Sequence, residues 1–214
     1  MRVGDDQKPF YVVRVGVTGN IGSGKSAVTE RLAAKGAAVI DADALAKQAT
    51  SEPEVLARIA EILGEHLVTD GQLNRQATAA LVFDDPEARA RLNSIIHPWV
   101  ARARDAQEQA LKQAANPPKV IVHDIPLLFE TDQQDDFDVL VVVTAALEQR
   151  ITRVRERSQL SDKAIRARDA AQMPLADKVA YADARADVVV IDNSADLAAL
   201  DRQVDDLWDE LTRG

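Results

Sequence analysis

Apolar residues follow two rhythms along the chain. Short β-branched runs at residues 11–17, 37–40, 120–122, 139–143 and 188–191 have the length and composition of strands buried in a parallel sheet. Between them the apolar positions recur at helical spacing. Val28, Leu32 and Ala33 share one face within residues 25–35, and Leu197, Leu200, Val204, Leu207 and Leu211 share one within a closing helix at 195–211. The opening order is strand, glycine-rich loop, helix, strand, a βαβ unit. Gly36 sits where a helix C-terminus needs a left-handed residue.

Residues 51–115 change character. Ser51-Glu52-Pro53-Glu54 reads as a helix start, with a capping hydroxyl and a proline near the first turn. Helical patterns continue over 74–83 and 86–115, the latter broken at His97-Pro98, and no strand is expected here. Asn116-Pro117-Pro118 closes the stretch with turn residues. Residues 146–185 are again helical, rich in arginine and interrupted by Pro174. The polar leader at residues 1–9 is expected to fray.

Composition narrows the chemistry. With 35 acidic and 26 basic residues the formal charge is −9, which argues against a duplex nucleic-acid binder. Aromatics at 4% leave too few rings for single-strand stacking platforms. The absence of cysteine removes disulfides, thiolate metal sites and thiol nucleophiles. His66 and His123 lack metal-ligand spacing. No apolar run approaches the ~20 residues of a membrane span, and the chain is expected in the cytoplasm.

Gly19-Asn20-Ile21-Gly22-Ser23-Gly24-Lys25-Ser26 matches the phosphate-binding pattern G-x-x-x-x-G-K-[ST], with Ala27 completing the expected nucleotide contacts. Its glycines let successive amide groups turn inward at a helix N-terminus, forming an anion nest. Lys25 supplies a charge for the β- and γ-phosphates of ATP, and Ser26 offers Mg²⁺ a hydroxyl. A strand before and a helix after complete the context. The D-x-x-G and N-K-x-D strings of GTPases and the L-S-G-G-Q string of transporter ATPases do not occur. A small chain with a helical insertion and a late arginine-rich segment suits a small-molecule kinase. A nucleoside or nucleotide kinase, and a nucleotide-dependent switch with weak chemistry, are the competing readings.

Several residues carry two readings each. Asp43, beyond the second strand, lies at the edge where open α/β sheets bind ligands, and it suits a base for phosphoryl transfer or an N-cap for a helix at 45–49. Asp41 suits a supporting partner. Asp124 ends the third strand, where an acid holds Mg²⁺ or merely forms a turn. Arg150, Arg153 and Arg157 share a helix face, while Arg155 points elsewhere. That face can close over a triphosphate or be a solvated basic surface.

The ordered set of motifs resembles the dephospho-coenzyme A kinases. The resemblance runs from Val13 to about Trp208. It is carried by the phosphate loop, Asp41-Ala42-Asp43, Leu92-Asn93-Ser94-Ile95-Ile96-His97-Pro98 and Asp124-Ile125-Pro126-Leu127-Leu128-Phe129-Glu130. Gln172-Met173-Pro174 with Lys178, and Ala186-Asp187 leading to Ile191-Asp192-Asn193, complete it. Two departures stand out: Asn20, where the family often has glycine, and Ser158-Gln159 after Arg157. The resemblance implies a P-loop αβα core (residues 10–50, 117–145 and 186–214) with a five-stranded parallel sheet. It further implies a helical coenzyme-side insertion (51–116), a lid (146–185), and a monomer or weak homo-oligomer. The implied reaction moves the γ-phosphoryl group of ATP to the ribose 3′-hydroxyl of dephospho-coenzyme A. Asp43, Lys25, Arg153 and Arg157 would act in catalysis, with Ser26 and Asp124 on Mg²⁺. Asp43, His97, Asp124, Pro126, Leu127 and Glu130 would meet the acceptor, although core packing is the stronger explanation for Leu127 and Leu128.

Overall fold

The computed structural model describes residues 11–158 and 160–213, apart from the side chain of Asp84. The leader at residues 1–9 and Gln159 lie outside the described residues. In chain order the elements are β1 (Val13–Thr18), α1 (Lys25–Ala34), β2 (Ala38–Asp41), α2 (Ala42–Ala49) and α3 (Pro53–Leu63). A 3₁₀ turn, Glu65–Leu67, leads to β3 (Val68–Thr69), β4 (Gln72–Leu73), α4 (Arg75–Asp84) and α5 (Pro86–Lys112). The remainder is β5 (Val120–Asp124), β6 (Val139–Thr144), α6 (Leu147–Arg157), α7 (Asp162–Ala170), α8 (Leu175–Asp183), β7 (Val188–Asp192) and α9 (Leu197–Thr212). They form two compact units, one of the described residues up to Ile40 and from Leu111 onward, the other Asp41–Ala110.

The first unit is built on a five-stranded parallel sheet in the order β2-β5-β1-β6-β7. Strand β1 is central, pairing with β5 and with β6: Val15 and Val17 are fully buried on one face, and on the other Gly16 lies so close to Leu128, Phe137 and Leu140 that a Cβ there would overlap them. Val28 and Leu32 of α1, with Leu200, Val204, Leu207 and Leu211 of α9, join the strand valines in one core. This is the three-layer αβα architecture expected. Leu197 departs from expectation: it stands 66% exposed at the first position of α9, one turn before the buried stripe begins. Gly36 adopts φ +108°, and the following amide of Ala37 reaches back to the carbonyl of Leu32 at 3.0 Å, the bond that closes a Schellman-type helix end.

The second unit packs Ala49, Val55, Ile59 and Leu67 against Leu92, Ile95, Ile96 and Trp99. Four sequence expectations are corrected here. The stretch does contain strand, a hairpin pairing Val68 with Leu73 and Thr69 with Gln72, turned by Asp70-Gly71, both at positive φ. Helix α5 runs unbroken through Pro98. The carbonyl that loses its bond belongs to exposed Ser94, where water can replace the missing N–H. Ser51 does not cap α3, whose N-cap is Glu52, with Pro53 opening the helix. Asp43 does not cap α2 either. The helix begins at Ala42, and the Asp41 carboxylate accepts the amide of Ala44 at 3.0 Å.

Candidate active site

Strands β1, β5, β6 and β7 end at Thr18, Asp124, Thr144 and Asp192, so a parallel sheet delivers all four residues to one edge. Short bonds tie that edge together: Asn193 N–H donates to the Thr144 carbonyl at 2.8 Å, and the Thr18 hydroxyl donates to the Pro126 carbonyl at 3.3 Å. In the β1–β5 register Val17 faces Asp124, which places that acid beside the root of the phosphate loop.

The loop runs from Gly19 into α1. Gly24, its last residue before the helix, has φ +91° and provides no side-chain cap; the Ala27 amide bonds back to the Gly24 carbonyl at 3.0 Å, and no side chain caps the turn before it, which suits an outside acceptor. Gly22 has φ +80°, and a Cβ there would lie 2.5 Å from the Arg150 carbonyl oxygen. A Cβ on Gly24 would overlap the Asn193 side-chain amide. Both positions are therefore closed to any larger residue, by backbone angle and by space. Asn20 Oδ1 and Ser23 Oγ are buried without hydrogen-bond partners, two orphaned polar atoms in the loop itself, as a polar ligand site requires. Lys25 is half-buried and Ser26 exposed, at the first two positions of α1.

Side chains from later in the chain hold this loop from outside. Arg150 is 4% exposed. Its guanidinium donates to the carbonyls of Ala145 (3.1 Å) and Ile21 (3.3 Å) and grips both carboxylate oxygens of Asp169. Arg153 reaches the carbonyls of Asn193 at 2.7 Å and Ser23 at 3.5 Å, and Asn193 Nδ2 donates to Ser23 O at 2.9 Å. Arg157 is exposed at the last position of α6. The arginine face thus divides into a buried structural cation, a cation bound to the loop, and one at the helix end. Arg155, off the face, pairs with exposed Asp162 at 3.6 Å.

The end of α7 and the segment after it touch the loop directly. Asn20 Nδ2 donates to Asp169 Oδ1 at 3.0 Å and to the Met173 carbonyl at 3.3 Å, while the amide of Ile21 donates to Gln172 Oε1 at 2.8 Å. Burial works against ionised Asp169, but the bonds from Arg150 and Asn20 outweigh it and hold its carboxyl below the ordinary range. Beyond this, a cavity of ≈ 400 Å³ lies between α6 and the start of α9, lined by Glu148, Gln149, Thr152, Arg153, Ser194 and Ala195.

The remaining predicted residues are placed as follows. Pro126, Leu127, Leu128 and Glu130 follow β5. Leu128 is core at 0% exposure and Leu127 is 42% exposed, so packing accounts for only one of the two leucines. Glu130 accepts the amide of Met173 at 2.6 Å. Asp43 and His97 belong to the second unit, both exposed, Asp43 in the first turn of α2 and His97 midway along α5. No group of three or more His, Cys, Asp or Glu side chains able to hold a metal occurs among the described residues. Asp169, Gln172 and Asn193 were not singled out by spacing: Asp169 is one of several acids on helices, and amide side chains in loops look like ordinary turn formers.

The family described as dephospho-CoA kinase matches residues 13–199. The chain is 42% identical over 202 residues to the dephospho-CoA kinase of Cutibacterium acnes, covering 94% of this chain and 85% of that one. It is 39% identical over 205 residues to that of Thermobifida fusca, covering 94% and 98%. Among solved structures it resembles TT1252 from Thermus thermophilus, with TM-score 0.78, 37% identity and coverage of 94% and 99%. The dephospho-CoA kinase from Campylobacter jejuni shares the fold, with TM-score 0.67 at 24% identity over 94% of this chain and 98% of that one.

The Arg150–Asp169 pair makes an acid-limb prediction. Asp169 has a depressed folded pKa, so its contribution is present above about pH 4 and is lost as pH falls through the folded value. Asp169→Asn leaves a buried guanidinium without its counter-charge, costing on the order of 3 kcal/mol at neutral pH. Urea unfolding of wild type and variant from pH 7 downward should show that gap narrowing below about pH 4. A gap independent of pH contradicts the assignment.

Proposed function

The chain belongs to the dephospho-CoA kinase family, and from that premise we propose how its residues carry the transfer from ATP to the ribose 3′-hydroxyl of dephospho-coenzyme A. In the reaction a bond forms between the acceptor oxygen and the γ-phosphorus while the bond to the β–γ bridging oxygen breaks, releasing ADP. Such transfer needs positioning and charge neutralisation more than covalent chemistry. The observation that carries the reading is the phosphate loop: an uncapped helix N-terminus, two glycines that admit no Cβ, and Lys25 at the first helical position.

Residues 19–27 hold the triphosphate in this reading. Lys25 neutralises the β- and γ-phosphates, and Arg153, already on the loop, adds charge as transfer proceeds, with Arg157 reaching in from the end of α6. The cavity between α6 and α9 accommodates the nucleoside. Ser26 and Asp124, a hydroxyl and a carboxylate, fit a hard cation that keeps most of its water. Mg²⁺ held there would supply charge neutralisation at the phosphates. Asp43 takes the proton of the acceptor hydroxyl, an assignment favoured because Asp41 already performs the capping of α2. His97, Pro126, Leu127 and Glu130 serve the acceptor side, with residues 51–116 as the coenzyme-side domain and 146–185 as the lid. Both substrates are water-soluble metabolites, and the reaction belongs in the cytoplasm. The direct test incubates the protein with ATP, Mg²⁺ and dephospho-coenzyme A and weighs the product. Coenzyme A is expected; turnover of a nucleoside instead contradicts the reading.

Two variants separate the roles. Asp43→Asn keeps helix α2 capped and should leave stability within about 1 kcal/mol of wild type, while kcat falls by roughly 10²-fold or more, the usual size of a lost general base. Unchanged kcat would move the base elsewhere, with Asp124 the next candidate. Arg153→Ala should lower kcat more than it raises KM for ATP, since charge neutralisation strengthens in the transition state. Arg155→Ala, whose partner is the exposed Asp162, should be close to silent, and equal small effects for the two contradict a catalytic arginine face.

A further inference from the structure

Lys178 is the largest of the fully buried side chains among the described residues, at 0% exposure on α8. A lysine is almost never wholly buried unless it is paired and doing something with its charge. Its Nζ lies 3.2 Å from Glu130 Oε1 and 5.9 Å from the centre of the Phe129 ring. The ammonium is enclosed by protein, and Glu130 is its nearest charged neighbour. That carboxylate in turn accepts the amide of Met173 at 2.6 Å.

Met173 ends a short strap, Asp169 to Met173, which touches the phosphate loop at three points and is held to α6 by the Arg150–Asp169 pair. Gln172 receives the amide of Ile21, while Asp169 and the Met173 carbonyl both receive the side-chain amide of Asn20. Asn20 is buried to 1% exposure. The strap is therefore bolted at one end to residues 20 and 21 of the loop and at the other to Glu130. We propose that Lys178 and Glu130 form a positioning pair that anchors this strap and thereby sets the shape of the phosphate loop for nucleotide binding.

The electrostatics agree with a post under load. Burial holds the Lys178 ammonium below its ordinary value, Glu130 and Asp169 favour its charge, and Lys25 opposes it. The facing charged groups are thus one anion on the segment after β5, one anion on the strap, and the cation of the phosphate loop. Removing the lysine leaves Glu130 without its counter-charge, free to swing toward water and release Met173. Removing both charges, with an amide at 130, keeps an oxygen to accept the Met173 N–H and needs no cation.

This inference rests on the nucleotide-binding reading of the loop, which ADP titration of the wild type tests separately; wild type that binds no ADP sinks that reading rather than the pair. With wild type active, Lys178→Met should weaken ADP binding by calorimetry and raise KM for ATP by about tenfold or more, a change of about 1.4 kcal/mol, with a smaller change in kcat. The double variant Glu130→Gln/Lys178→Met should recover most of the lost affinity. A double variant as impaired as Lys178→Met overturns the pair, because the lysine charge would then matter in itself. Normal ADP affinity with only a lowered Tm also overturns it, leaving a purely structural lysine. Should Lys178→Met fail to fold, Glu130→Ala is read by the same titration, and unchanged ADP affinity there is equally fatal.

Discussion

A phosphate-binding loop has to be empty on the inside and rigid on the outside. Its amides must converge on one point, which excludes side chains from the cradle, and the loop's own turn bond, from the Ser23 amide to the Asn20 carbonyl at 3.0 Å, leaves most of the bracing to residues outside it. In this protein the bracing comes from residues more than a hundred positions away. Arg150 bonds the Ile21 carbonyl, Gln172 the Ile21 amide, and Arg153 and Asn193 the Ser23 carbonyl. Gly22 and Gly24 let these braces approach, since a Cβ at either would collide with the backbone of Arg150 or the amide of Asn193. The glycines thus answer two demands at once, left-handed backbone and close packing of the supports.

This arrangement reconciles an acidic chain with an anionic ligand. The formal charge is −9, but around the loop stand Lys25, Arg150, Arg153 and Lys178. Two of these cations are buried and matched, Arg150 by Asp169 and Lys178 by Glu130. Lys25 and Arg153 are only half-buried, and Arg153 spends its guanidinium on carbonyls rather than on a carboxylate. The positive charge available to a triphosphate is therefore local and oriented, while acidic side chains elsewhere keep the molecule's net charge negative.

How legible this was from the sequence depended on whether a feature is local. The sheet strands were readable because short β-branched runs bounded by turn residues have one explanation, and the phosphate loop because its glycines and lysine sit at fixed spacing. Helix starts were less readable: Ser51, Glu52, Asp41 and Asp43 all have suitable chemistry for their neighbourhood, and only the backbone decides which one caps. Pro98 misled because the carbonyl it strands, that of Ser94, lies on an exposed stretch of α5 where water can take the bond. The β3–β4 hairpin escaped because two-residue strands leave no periodicity. The braces were the hardest to see. Arg150, Arg153 and Arg157 share a face by spacing, yet their jobs differ according to what lies opposite each one, and Asp169, Gln172 and Asn193 acquire meaning only when the chain returns to the loop.

The central claim is that the phosphate loop is shaped before any nucleotide arrives, by bonds from outside it. Amide hydrogen exchange of residues 19–26 in the nucleotide-free protein, compared with Asn193→Ala, measures this directly. The substitution removes one bond, to the Ser23 carbonyl, and changes no residue of the loop. Exchange across the loop should accelerate by about fivefold or more, the equivalent of one lost hydrogen bond of roughly 1 kcal/mol, while β1 keeps its protection. Unchanged exchange in the loop would contradict the account.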